Sequence, residues 1–195
     1  MDINTIAKGL LTMSTFQAIE NHPNVESLLF KDDGTFPNNE KLPLLLYRQV
    51  YTDRSEIDPN QIEAVFNSNG WKSAWRNGLY NFHHYHSTAH ETLGIYQGWI
   101  KAQFGGPRGT IIKAKAGDII VVPAGVSHMN LDQSSDFKTI GAYPVGQSWD
   151  MNYGKPGERP QTDKNILKVP LPTAGPALGE SGPLLQLWKT SQKPF

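Results

Sequence analysis

The sequence predicts an all-β domain, built from short strands as a two-sheet sandwich or barrel. Three observations carry that expectation. Charged residues make up only 18% of the 195-residue chain, while turn-formers are abundant, with 18 Gly and 14 Pro. Between Gly78 and Pro144, short apolar segments follow one another, several separated by glycine corners at Gly105-Gly106, Gly109 and Gly117. No sustained helical period runs through the chain, so it does not read as a coiled coil or helical bundle.

The elements follow in order. Ile3, Ile6, Leu10 and Met13 recur at helical spacing and predict a short amphipathic helix that must end by His22-Pro23. Residues 30–43, FKDDGTFPNNEKLP, are polar and turn-rich and read as a loop. Residues 1–43 thus form a lead-in. LLLYRQVY (44–51) reads as the first strand. A helix follows, with Asp58 as N-cap, Pro59 in its first turn, Ile62, Val65 and Phe66 as its apolar stripe and Gly70 as its stop. Strands are then expected near 79–86, 91–97, 99–104, 110–115, 118–122, 127–131 and 136–143. The barrel, helix 59–69 included, spans 44–144. Residues 145–195 lose periodicity and read as an irregular extension, whose apolar LLQLW end docks on the barrel or on a second subunit.

Composition excludes several classes of function. Eighteen Lys+Arg balance eighteen Asp+Glu, and no basic cluster offers the surface that nucleic acid requires. No apolar run approaches the ~20 residues that span a bilayer, so no membrane partner is expected. The amino terminus lacks the basic and apolar regions of a secretion signal, and a soluble, cytoplasmic protein is expected. With no Cys, disulfides, thiol catalysis and thiolate metal sites are excluded.

Four of the six His fall in HHYHSTAH (83–90), and Glu91 follows at once. Alternation along a strand sets His84 and His86 on one face and His83 and Tyr85 on the other. In the next strand Glu91 shares a face with Leu93 and Ile95, whereas His90 and Thr92 point away. An inward carboxylate needs a partner, because an unpaired buried charge is costly. Two imidazoles and one carboxylate on adjacent strands offer three ligands to a divalent metal. GDIIVVPAGVSHMN (117–130) supplies a fourth, His128. Three nitrogens and one oxygen suit Fe, Mn, Ni, Co, Cu or Zn without choosing among them, and do not suit Ca or Mg.

These residues carry a resemblance. Gly78, His84, His86, Glu91 and Gly98 match the first motif of the cupin superfamily, and Gly117, Pro123, Gly125 and His128 match the second. The last position of the second motif holds Asp132 in place of Asn, at a non-ligand position. The HYHSTAHE block, the PAGVSH turn and the PLLQLW tail further resemble a group of small, uncharacterised bacterial single-domain cupins. The resemblance implies a double-stranded β-helix, or jelly roll, with His84, His86, Glu91 and His128 as ligands of a divalent transition metal.

Around that centre, His83 and His90 are expected at the surface or steadying a ligand ring. Trp71 and Trp75 read as hydrophobic cover at the barrel mouth or an interface. Tyr143, Gln147, Trp149 and Asp150 follow the last strand past the barrel opening, where Tyr143 and Gln147 could orient a substrate. Arg48 is the cation placed to meet an anionic one. The expected function is a metal-dependent enzyme, of dioxygenase type, acting on a small polar organic substrate, with Glu91 as proton carrier. A non-catalytic metal- or ligand-binding module and a Lewis-acid isomerase or epimerase are the alternatives. Exposed sheet edges, taken with the resemblance, predict a homodimer.

Overall fold

Nine strands and three helices make up residues 24–51 and 57–190, the part of the chain that the computed structural model describes. The expected helix through Ile3, Ile6, Leu10 and Met13, and its stop at His22-Pro23, lie outside the described residues. Strands β1 (Asn24–Phe30), β2 (Asn39–Arg48), β3 (Trp71–Asn77), β4 (Glu91–Gln97), β7 (Ile119–Val122) and β9 (Lys138–Pro144) form the larger sheet. Strands β5 (Trp99–Phe104), β6 (Thr110–Lys115) and β8 (His128–Gln133) form the smaller one. Their orders are β1-β2-β7-β4-β9-β3 and β6-β5-β8, and every pairing is antiparallel. From β4 onward the chain passes repeatedly between the sheets, with β5, β6 and β8 in the small one and β7 and β9 back in the large one. Two facing antiparallel sheets wound in this way are the jelly roll expected from the sequence.

Period-two alternation builds two cores. Leu44, Leu46, Leu93, Ile95, Ile120 and Val122 fill the space between the sheets. Leu45, Tyr47, Ile119 and Val121, one residue out of phase, line the outer face of the large sheet. There they meet Ile62 and Phe66 of α1 (Pro59–Ser68) and Leu184 and Trp188 of α3 (Pro183–Thr190). Strand β7 is covered on both faces, which is why its sequence is the unbroken apolar run IIVV. Helix α1 starts as expected, with Asp58 accepting from the Asn60 amide at 2.9 Å and Pro59 in the first turn. It can lie close to the sheet because Gly94 has no side chain; a Cβ there would sit 2.9 Å from Phe66 Cζ.

Elsewhere the structure departs from the sequence reading. The expected strand at 79–86 is a series of bends with isolated bridges, and the strand that closes the large sheet is β3, just upstream. A register shift between Ser73 and Trp75 sends two tryptophans of equal parity to opposite faces. Trp71 is buried in the outer core and donates to Ala174 O at 2.9 Å, while Trp75 packs against the core between the sheets. Strand β1 falls in the lead-in, where the sequence suggests no strand, and the first residues of β2 occupy part of the loop expected at 30–43. The C-terminal extension is partly helical, with α2 (Gln161–Ile166) preceding α3. Trp188 of α3 is wholly buried against the chain's own barrel, and its indole N–H donates to Pro43 O at 2.9 Å.

Candidate metal centre

The residues around His84 belong to no strand ladder, yet their backbone is fastened on both sides. His84 and His128 exchange hydrogen bonds, N–H to O, at 3.2 and 2.9 Å, and Tyr85 and Asn152 do the same at 2.9 and 3.0 Å. This extended stretch sets His84 and His86 on the inner face. Tyr85 points the other way, where its hydroxyl bonds to Glu158 and Thr162. His128 opens β8 directly after the Pro123–Gly125 corner. Gly125 has φ +92°, and a Cβ there would sit 2.3 Å from Asn38 O, so the corner that delivers His128 requires glycine. Glu91 opens β4 from the neighbouring sheet.

These elements bring one ring nitrogen each of His84, His86 and His128 within 4.8 Å of one another, all three rings buried. Glu91 Oε2 lies 3.2 Å from His128 Nε2 and 3.6 Å from His86 Nε2. The other ring nitrogen of each His faces a main-chain carbonyl. His84 Nδ1 meets Phe82 O at 3.1 Å, His128 Nδ1 meets Val126 O at 3.1 Å, and His86 Nδ1 meets Asp150 O. A carbonyl can only accept, so each Nδ1 carries the hydrogen and each neutral ring turns an Nε2 lone pair toward the cluster.

That tautomer has a consequence at Glu91. His128 Nε2 and Glu91 Oε2 are both buried without a hydrogen-bond partner. Two acceptors face each other across 3.2 Å, an arrangement that demands a cation between them, either a proton on the ring or a metal ion. Burial, reinforced by neighbouring His128, pushes the His84 pKa down to about 3, so this ring stays neutral, as a ligand must be. Burial also opposes charge on His86, but the Glu91 carboxylate outweighs it and raises this pKa. For Glu91 itself, burial would favour the acid, yet His86 and His128 hold its pKa well below the ordinary value. Three buried imidazoles with their lone pairs inward, beside an ionised carboxylate, form a group that fits a divalent metal ion.

The surroundings hold the group in place. Tyr143 donates to Glu91 Oε1 at 2.6 Å and receives the Trp75 indole N–H at 3.3 Å. Burial, then the adjacent Glu91 charge, raises the Tyr143 pKa, so the phenol keeps its proton. Trp149 stacks on Tyr143 with centroids 5.8 Å apart and meets His86 edge-on at 5.6 Å. The Asp150 carboxylate accepts from the Ser87 amide and hydroxyl, the Thr88 amide and the Asn152 side chain, fastening the loop after His86 to the segment after β9.

Other residues singled out from the sequence lie elsewhere. Gln147 joins two loops, accepting from the His90 amide at 2.9 Å and donating to Pro170 O at 2.8 Å. Arg48 lies at the opposite end of the barrel, beside Asp118 where β7 begins, whereas Glu91 pairs with Val122 where β7 ends. There it bonds Glu26 at 2.7 Å, Asp118 at 3.2 Å and Lys113 O at 2.7 Å, so the structure does not bring it to the cluster. His83 and His90 both point away from the cluster. His83 Nδ1 lies 3.1 Å from Ser127 Oγ. His90 is fully buried, not at the surface, with its ring against Trp188 and its Nδ1 accepting from the Ala124 amide at 3.0 Å. Burial brings its pKa to about 3. The carbonyls that orient the three rings were invisible in the sequence, because every residue has one.

No protein-family model matches the chain. Over 163 residues, 84% of its length, it is 39% identical to a Bacillus subtilis protein, "Uncharacterized protein YjlB", of which it covers 96%. Among solved structures it is similar to RmlC of Streptococcus suis, at 12% identity and a TM-score of 0.35 over 77% of this chain and 95% of that one. It is also similar to procruciferin, an 11S globulin of Brassica napus, at 13% identity and a TM-score of 0.34 over 78% of its length. It spans 35% of that chain.

Proposed function

We propose that this chain, which belongs to the same family as Bacillus subtilis YjlB, is a metal-dependent enzyme of oxygenase type acting on a small organic molecule. His84, His86 and His128 would hold the ion through Nε2, with Glu91 Oε2 as the fourth ligand. The observation that carries the reading is the unpartnered acceptor pair, His128 Nε2 and Glu91 Oε2, inside a ring of imidazoles whose hydrogens all point outward. A bound transition metal would supply Lewis acidity and, where redox-active, the electron transfer that oxygen chemistry needs.

The chain's own residues supply the rest. The carbonyls of Phe82, Val126 and Asp150 fix the ring planes, and Tyr143 fixes one carboxylate oxygen so that the other faces the cluster. The Tyr143 hydroxyl donates to ionised Glu91 and is the group of this pair that holds a proton at the centre. Burial of the three histidines, Glu91 and Tyr143 limits their contact with bulk water and strengthens these interactions.

Elemental analysis of protein purified without an affinity tag tests the reading. We expect close to one transition-metal ion per chain, lost in His84→Ala combined with His86→Ala. Protein free of metal, or a double variant that keeps its metal, would refute it. Oxygen uptake by the iron-loaded protein then distinguishes an oxygenase from a module that only binds.

A further inference from the structure

We infer that the molecule bound at this centre carries a planar aromatic ring, received by Phe82 and Trp149, with its chelating oxygens turned toward the histidines. The inference rests on the metal reading above and adds the class of substrate.

It starts from the distribution of exposed rings. Among the described residues, the large aromatics left exposed are Tyr80, Phe82, Trp149 and Tyr153. All four belong to ring contacts that run to the histidine cluster. Phe82 lies edge-on to His84 at 5.7 Å and Tyr80 does so at 5.3 Å, with the Tyr80 and Phe82 rings stacked 4.9 Å apart. Tyr153 leans on Phe82 at 5.9 Å. Trp149 meets His86 edge-on and is backed by Tyr143. Exposed aromatic surface costs solubility and stability, and a chain that confines it to one spot retains it there for contact.

The geometry fits a flat guest. Phe82 and Trp149 touch different ligand rings, His84 and His86, so they stand beside the cluster at two places and leave 42% and 47% of their surface open. Each stacks on a neighbouring ring, Tyr80 and Tyr143 respectively, which restrains its orientation. Flat faces of this kind favour offset-stacked or edge-to-face partners over saturated chains of equal size. Among the described residues no arginine is paired with the cluster, and Arg48 is engaged at the far end of the barrel, so none is seen to select a phosphate or an aliphatic carboxylate. Specificity then falls to stacking on the exposed rings and chelation at the histidines.

Two hydroxamates test this, because they offer the same pair of oxygen donors with and without a ring. Zinc-loaded protein is titrated by calorimetry with benzohydroxamate and with acetohydroxamate, after zinc content has been measured. Benzohydroxamate is expected to bind at least about tenfold more tightly, in line with stacking on one or two aromatic faces. Phe82→Leu with Trp149→Leu, both at exposed positions, should keep zinc content and acetohydroxamate affinity while erasing the preference. Equal affinities in the wild type, a preference that survives in the double variant, or zinc-loaded protein that binds neither compound would overturn the aromatic assignment alone. Failure to take up zinc would instead overturn the metal reading on which it rests.

Discussion

Tyr143→Phe removes one oxygen from the centre and leaves its shape almost unchanged. The lost atom donates to Glu91 Oε1 at 2.6 Å, and Glu91 is 2% exposed, so water cannot replace the donor. A hydrogen bond to a charged group contributes about 1.5–3 kcal/mol, and the stranded carboxylate oxygen places the loss toward the upper part of that range. For a chain of this length, about 2.5 kcal/mol lowers Tm by roughly 5–10 °C. The carboxylate is also freed to rotate, and loss of such a supporting bond typically weakens metal binding about 10- to 100-fold. Urea unfolding of metal-free protein measures the first effect, and competition with a chelator the second. Combining the change with Glu91→Gln isolates the pair, because the double variant should lose less than the two single losses added together. Unchanged stability and metal affinity in Tyr143→Phe, or strict additivity in the cycle, would refute the role given to this hydroxyl.

Three further outcomes are expected. The pKa of Asp150 is lowered: burial opposes its ionisation, but the hydrogen bonds from Ser87, Asn152 and Thr88 outweigh it. Its stabilisation is therefore present above the ordinary value of 3.8 and is lost as pH falls through the lower folded value, so Asp150→Asn should flatten the loss of Tm with acid below about pH 4. An acid limb identical to the wild type would refute this. Trp188→Ala should cost about 3–5 kcal/mol in urea unfolding, since the indole is wholly buried and bonded to Pro43 O; a loss below about 1 kcal/mol would show that α3 is dispensable. Among the described residues no strand pairs with the outer edges of β1 and β3, and the homodimer expected from the sequence should appear in light scattering, where a monomer would refute it.

The jelly-roll class and the parity that gathers the buried histidines were legible in the sequence, while several individual elements were not. Alternation placed His84, His86 and Glu91 on the inner side and His83 and His90 away from it, because side-chain parity survives even where 79–86 forms no ladder. Strands β4 to β9 were readable to within a few residues, since apolar residues alternate between glycine corners there and β7 is apolar throughout. Strand β1 was not, because NVESLLF lies at the sheet edge with most of its residues exposed or half-exposed and lacks a buried alternating face. Strand β3 was hidden because its register shift breaks the period that a strand is recognised by. Arg48 shows the limit of parity. It shares the inner face with Leu44 and Leu46, but distance along the strand, which alternation does not reveal, sets it at the wrong end of the barrel. Gln49, at φ +50°, then ends the alternation, and Val50 joins the outer core.

Three carbonyls holding three rings have an effect on supply. The orientation of His84, His86 and His128 is set when the backbone folds, so an ion bound there, as proposed, would meet rings already oriented. Nitrogen and oxygen donors rank the divalent metals by intrinsic affinity, with copper above zinc and nickel, and those above iron and manganese. If the proposed metal binding holds, the ion taken up would follow what the cell makes available, and protein from hosts grown on different trace metals should carry different ions.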